Sequence, residues 1–296
     1  MDAHLLAQPT SLEQALAKAL NRSTKPHEAW RTFPSGEIRV RARPSGKAAA
    51  AVIGRAHPGG DFFGTLLLSD TLSGLGSDVT AIMPYLAYAR QDLPDAEGDS
   101  VGLATVVKLL AAAGARRLIT VDAHNPEALH DMGLPTFIGS VLPDMAERDR
   151  RTFRGPVAIV SPDRGGFERA RAYAIALGGH SGLAWVQKTR AESGRVTAKG
   201  LSGKISGASA VIVDDQVDTG GTILEATRVL REAGFTEIHL RAAHPVLSGN
   251  AVATLRKARL ASISFSDTIP LRPDAKRLPK LSIVSALPAL MRVLTP

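Results

Sequence analysis

Val211-Ile-Val-Asp-Asp-Gln-Val-Asp-Thr-Gly-Gly-Thr222, continued by Ile223-Leu-Glu-Ala-Thr-Arg-Val-Leu-Arg-Glu-Ala-Gly234, is the stretch on which the reading of this chain turns. Its three β-branched residues predict a short buried strand that ends at Asp214 and Asp215. The Thr-Gly-Gly-Thr turn then feeds a helix whose apolar positions Ile223, Ala226, Thr227, Leu230 and Ala233 recur at helical spacing. A strand, a glycine turn and a helix N-terminus make an anion seat, because backbone N–H groups can approach the anion and the helix dipole favours negative charge. No GxxxxGK is present, so the seat is not a Walker loop. Asp214 and Asp215 would repel a bare triphosphate but can accept hydrogen bonds from vicinal hydroxyls. Acids for hydroxyls beside amides for one phosphate point to a sugar phosphate, more specifically ribose 5-phosphate. A plainer role runs alongside: Thr222 as an N-cap, with Glu225 completing a Thr-x-x-Glu capping box. That role leaves the acids at 214, 215 and 218 unexplained.

The whole chain is compatible with such a site. Its 296 residues suffice for two α/β domains, and 44% hydrophobic residues make it globular. No apolar run approaches the roughly 20 residues that span a bilayer, so no membrane partner is expected. The start Met1-Asp-Ala-His lacks a secretion signal. Without cysteine there is no disulfide framework, thiolate metal site or thiol nucleophile, and the expected location is the cytoplasm. The net charge of +8 is spread along the chain, and aromatic residues are only 4%, so no nucleic-acid partner is expected. A basic field that attracts small polyanions fits better.

Outside the seat, hydrophobic periodicity predicts alternating strands and helices. A helix is expected at 11–20, and a turn running into a strand at 31–40. Strand 48–54, helix 61–76, strand 79–84, helix 101–113, strand 117–121 and a short helix near Glu127 follow. The stretch 141–154, rich in charge, reads as a crossover. Strand 157–160, helix 167–177 and strand 183–187 come next, then a polar segment, 188–207, that reads as mobile. Beyond the seat lie strand 236–242, helix 248–256, strand 260–265 and a Pro-rich tail. Such alternation predicts an α/β fold with largely parallel sheets and sites at the carboxyl ends of strands. Val107–Pro126 and Val229–Pro245 echo each other as helix, Ala-Gly turn, strand, then His near Pro. The echo favours two similarly folded halves related by internal duplication over one large sheet, with domains expected at 1–145 and 146–296.

Six segments in order then resemble one family. Asp214–Thr222 looks like the phosphoribosyl-diphosphate loop of type I phosphoribosyltransferase folds. Phe33-Pro-Ser-Gly-Glu37, Tyr88-Ala-Arg-Gln-Asp92, Thr120-Val-Asp-Ala-His124, Ser161-Pro-Asp-Arg-Gly-Gly166 and Lys188-Thr-Arg190 narrow the likeness to the ribose-phosphate pyrophosphokinases. The resemblance implies two phosphoribosyltransferase-like domains, the first serving ATP and the second ribose 5-phosphate. It implies transfer of the β,γ-diphosphoryl group of ATP to the anomeric hydroxyl of ribose 5-phosphate, releasing AMP. Thr219, Gly220, Gly221 and Thr222 would hold the 5-phosphate, with Asp218 shaping the turn and Asp214 and Asp215 on the hydroxyls. His124 and Asp163 would serve Mg²⁺ and its triphosphate. Mg²⁺ takes few protein ligands beside water and phosphate oxygens, which suits so sparse a pair. Arg90, Gln91 and Asp92 would hold the adenosine part of ATP. Phe33 and Glu37 would line the same nucleotide from an adjacent subunit, which implies a homo-oligomer, a dimer or higher. Lys188 and Arg190 would neutralise charge developing on the transferred group.

The sequence also departs from the family pattern. Ser35 stands where Asp is usual, the 93–99 loop is acidic where a basic stretch is expected, and the usual N-terminal strand reads as absent or eroded. The acidic loop argues against regulation by phosphate and ADP. Two competing functions remain open from sequence. One is a non-catalytic nucleotide-binding relative that regulates a true synthase; the other is a phosphoribosyltransferase, which needs only one such domain.

Overall fold

A computed structural model of the chain describes residues 1–6, 9–20, 30–42, 49–55, 62–190 and 196–294. The chain divides into two compact units, one comprising Met1–Ser140 with Ala286–Pro296, the other Val141–Ser285.

In the first unit the elements run β1 (Asp2–Leu5), α1 (Ser11–Leu20), β2 (Trp30–Thr32), β3 (Ile38–Val40), β4 (Ala49–Ile53), α2 (Phe62–Gly74), β5 (Asp78–Met83), α3 (Gly102–Ala112), β6 (Ala115–Val121), α4 (Pro126–His130) and β7 (Thr136–Gly139). Its main sheet has the order β1-β4-β5-β6-β7, and every pair is parallel. β4 and β5 read as near-continuous apolar runs because helices cover both faces of a parallel sheet. The second unit holds α5 (Leu142–Thr152), β8 (Val157–Ser161), α6 (Phe167–Leu177), β9 (His180–Arg190), β10 (Val196–Ser202), β11 (Ser209–Gln216), α7 (Gly221–Glu232), β12 (Glu237–His244), α8 (Ala251–Ala258), β13 (Ser262–Ser266) and β14 (Leu281–Val284). Its sheet order is β10-β9-β8-β11-β12-β13-β14, parallel throughout except where β10 runs back along β9.

The echo noted in the sequence has a topological counterpart. The joint α3–β6 delivers a strand between β5 and β7, and the joint α7–β12 delivers one between β11 and β13. In each sheet the helix leads into a strand flanked by two parallel neighbours, as expected of two copies of one α/β plan.

Several expectations need correcting. The stretch 141–154, read as a crossover, opens the second unit at Val141 and is the helix α5, whose buried residues Leu142, Met145, Ala146 and Asp149 recur at helical spacing. An acid at one of those four positions disguised the stripe. Residues 31–40 form an antiparallel hairpin of β2 and β3, closed by Phe33 and Glu37, with Phe33 N donating to Glu37 O at 2.8 Å. An N-terminal strand is present, β1, paired with β4 from Asp2↔Ala50 to Leu5↔Ile53. The polar segment from 188 onward joins β9 and β10 in an antiparallel ladder, while residues 191–195 lie outside the described ones. Ala48 and Asp61, the expected starts of a strand and a helix, also lie outside them. The last helix, α9 (Leu287–Leu294), packs on β6, β7 and α1 instead of extending the second unit. Arg292 Nη2 donates to Ser140 O at 3.0 Å and ties it there. Among the described residues no helix is long and apolar enough to cross a membrane.

Candidate active site

The seat after β11 is built as its residue types demand. Val211, Ile212 and Val213 are fully buried between β8 and β12, so the strand end and its acids are rigidly placed. Val217 N donates to His244 O at 3.0 Å, and Leu247 N donates to Val217 O at 2.9 Å. Ser248 N donates to Asp218 O at 3.1 Å, and the Ser248 hydroxyl donates to the Asp218 carboxylate. Asp218 thus clamps the turn to the loop after β12.

Gly220 is the N-cap of α7 at φ +79°, a left-handed conformation that glycine adopts without steric cost. A Cβ there would also sit 3.4 Å from the Thr254 side chain. The Thr222–Glu225 capping box does not form. No side chain caps α7, and Glu225 instead pairs with Arg228, 2.8 Å away on the next turn. Because Gly220 took the cap, Thr222 lies inside the first turn, where its hydroxyl cannot reach the N3 amide. The first-turn amides therefore carry no side-chain cap, while Thr219, Gly221 and Thr222 are exposed around them. Uncapped amides at the positive end of a helix suit an anion. Beneath them, Ile223, Ala226, Thr227, Val229 and Leu230 bury one face of α7, whereas Ala233, expected on that face, is exposed past the helix end.

The two acids at the strand end are not equivalent. Asp214 retains part of its surface, but Asp215 is only 2% exposed and pairs with Arg169, Nη1 to Oδ1 at 3.1 Å. Burial, and then the Asp215 carboxylate, push Asp214 well above the usual carboxylate range, while Arg169 pulls it back. Asp163 follows β8 and accepts from Gly166 N at 3.1 Å through Oδ1, and the Ser161 hydroxyl donates to Asp163 O at 2.6 Å. These bonds fold Ser161–Gly166 into a tight loop at the start of α6, in the same unit as the seat.

In the first unit, His124 follows β6 and is exposed. The turn that carries it begins at Asp122, whose φ of +40° is uncommon for a non-glycine residue. Asp122 N donates to Gly139 O at 2.8 Å, and the Ser140 hydroxyl donates to its carboxylate, so β7 holds the turn. Asn125 caps α4 by accepting from Ala128 N at 3.3 Å, with Pro126 at the first helical position. Its amide also donates to Asp92 Oδ2 at 2.6 Å, which brings the Arg90–Asp92 loop and the His124 turn together. Arg90 and Gln91 are exposed beside it. Phe33 lies half-buried in the hairpin turn with the Arg31 guanidinium 4.9 Å from its ring centre, and the Ser35 hydroxyl donates to Glu37 Oε2 at 2.8 Å. Ser35 thus braces Glu37. The side chains of Lys188 and Arg190 lie outside the described residues; their backbone pairs with Ala198 and Val196.

Sequence reasoning overlooked Arg169, Asp122 and Asn125. Asn-Pro before a short helix is a legible capping signal. Arg169 and Asp122 carry none, since each acts through a contact far along the chain.

The family model for the N-terminal domain of ribose phosphate pyrophosphokinase matches residues 5–114, and that for the phosphoribosyl transferase domain matches residues 141–269. A ribose-phosphate pyrophosphokinase of Caldanaerobacter subterraneus subsp. tengcongensis is 32% identical over 263 residues, 87% of this chain and 82% of that protein. One from Sulfurisphaera tokodaii is 32% identical over 268 residues, 88% of this chain and 89% of that protein. The crystal structure of phosphoribosylpyrophosphate synthetase from Mycobacterium smegmatis superposes with a TM-score of 0.87 at 28% identity, covering 99% of this chain and 97% of that one. Two phosphoribosyltransferase-like units, an uncapped glycine seat at the end of β11 and relatives aligned along nearly the whole chain lead to one conclusion: this protein belongs to the ribose-phosphate pyrophosphokinase family of enzymes.

Proposed function

We propose that the seat after β11 anchors the 5-phosphate of ribose 5-phosphate and that residues of the first unit bind ATP. The reaction is transfer of the β,γ-diphosphoryl group of ATP to the anomeric hydroxyl, giving phosphoribosyl diphosphate and AMP. The observation that carries this reading is the uncapped first turn of α7, entered through a left-handed Gly220 shortly after Asp214 and Asp215 on β11. Amides of Gly221 and Thr222 with the hydroxyls of Thr219 and Thr222 take the phosphate. The acids of β11 take the ring hydroxyls, and the sugar's reactive carbon then faces outward. The phosphoryl transfer itself asks mainly for positioning and charge neutralisation. Arg90, Gln91 and Asp92 hold the nucleoside, Asp92 with its loop fixed through Asn125. Lys188 and Arg190 supply positive charge to the transferred group.

For Mg²⁺, Asp163 of the second unit would offer a carboxylate oxygen, the donor a hard ion prefers, and His124 of the first unit an imidazole; water and phosphate oxygens would make up the rest of the ion's shell. When bound, the ion neutralises the triphosphate. Phe33 and Glu37, on a hairpin braced by Arg31 and Ser35, line the nucleotide of a neighbouring copy, so the working form is a homo-oligomer. The enzyme acts in the cytoplasm.

The test is incubation of the full chain with ATP, Mg²⁺ and ribose 5-phosphate, following AMP. AMP release that requires the sugar is the expected result. Retained ATP binding with no sugar-dependent AMP would favour a non-catalytic regulatory relative. A second prediction concerns the seat alone. In Gly220→Ala the left-handed backbone costs roughly 1 kcal/mol. KM for ribose 5-phosphate should rise about five-fold while KM for ATP stays unchanged, as initial rates of AMP release will report.

A further inference from the structure

Arg169 lies outside every motif that carries the family resemblance, yet two acids gather around it. It stands at the third position of α6, its side chain only 14% exposed. Nη1 lies 3.1 Å from Asp215 Oδ1 and 3.8 Å from Asp214 Oδ1. The other Asp215 oxygen accepts from Gln216 Nε2 at 3.3 Å, and Asp214 Oδ1 accepts from Asp215 N at 2.9 Å. The loop before α6 is shaped to admit the guanidinium. A Cβ on Gly166 would lie 3.2 Å from Arg169 Nη1 and 2.6 Å from Ser161 Oγ.

Two adjacent buried acids repel one another and resist ionisation. A carboxylate accepts from two hydroxyls, whereas a carboxylic acid spends one oxygen as a donor. The guanidinium therefore decides what the pair can recognise. Asp215, buried against Arg169, is committed to that contact, and Asp214 is the acid with surface left to offer.

We infer that Arg169 is a positioning residue for sugar recognition: it fixes Asp215 and orients Asp214 toward the vicinal hydroxyls, making this trio the element that separates ribose 5-phosphate from 2-deoxyribose 5-phosphate. The inference rests on the reading of the seat given above and assigns its selectivity to a residue that need not touch the sugar.

The experiment compares wild type, Arg169→Met and Arg169→Lys in sugar-dependent AMP release with each of the two sugars, together with KM for ATP and Tm. Wild type should strongly prefer the ribose. Arg169→Met, which keeps the aliphatic stem, should raise KM for ribose 5-phosphate by about ten-fold or more and shrink the ribose-to-deoxyribose ratio of kcat/KM by a similar factor. KM for ATP should stay within about two-fold. Arg169→Lys should recover part of the ratio, since it restores the charge without the fork. A ratio unchanged in Arg169→Met, or equal increases in KM for sugar and ATP, would overturn the inference. If Arg169→Met fails to fold, the ratio in Arg169→Lys decides instead: a wild-type value overturns the assignment and an intermediate one supports it. Absence of sugar-dependent AMP from the wild type is a separate outcome, which removes the seat reading and this inference with it.

Discussion

Lys188→Ala should lower kcat by on the order of 10²–10³ while changing ATP affinity only slightly. A cation that meets charge only as it develops in the transition state contributes little to the ground-state complex. The backbone at Lys188 is held in the β9–β10 ladder opposite Ala198, so truncating the side chain removes the charge without unpinning the strand. Initial rates of AMP release give kcat, and calorimetric titration with ATP gives affinity. Comparable losses in both would assign Lys188 to nucleotide binding instead.

Asp149→Ala should cost roughly 3–5 kcal/mol of stability and lower Tm by about 10 °C for a unit of this size. Asp149 on α5 accepts from Arg241 on β12 through both oxygens, Nε at 2.6 Å and Nη2 at 2.8 Å, and Arg241 is 3% exposed. The Tyr173 hydroxyl also donates to Asp149, and burial pushes that phenol upward, so it stays a donor. Removing the acid strands a buried guanidinium. Thermal denaturation of Asp149→Ala beside Glu147→Ala makes the contrast, because Glu147 pairs with Arg150 and Arg151 at the surface and its loss should leave Tm nearly unmoved. In the double variant Asp149→Leu/Arg241→Met most of the loss should return, since no unpaired charge remains.

The same pair shows where sequence reading fails. Leu142, Met145 and Ala146 mark three positions of an apolar stripe, and a fourth at Asp149 would have completed a helix prediction. The acid is tolerated there only because Arg241, 92 residues later, meets it. A similar blindness hid Arg169, whose partners lie across the sheet on β11. The Thr222–Glu225 capping box failed for a local reason of the opposite kind. Both residues suit the box, but Gly220 in the left-handed region moved the helix start two residues earlier. β7 and β14 were overlooked because four residues give too short an alternation to stand apart from a loop.

By itself the sequence determined the α/β class, the duplicated plan, the glycine turn at 218–222 and the residues that carry the family resemblance. Each of these is written locally, in hydrophobic period, glycine placement or a contiguous motif. Only the tertiary structure decided that Asp215 is committed to Arg169, that α5 is a helix locked by a buried ion pair, and that the last helix returns to the first unit. Those facts depend on which charges meet once water is excluded, and no residue's neighbours in the chain can reveal that.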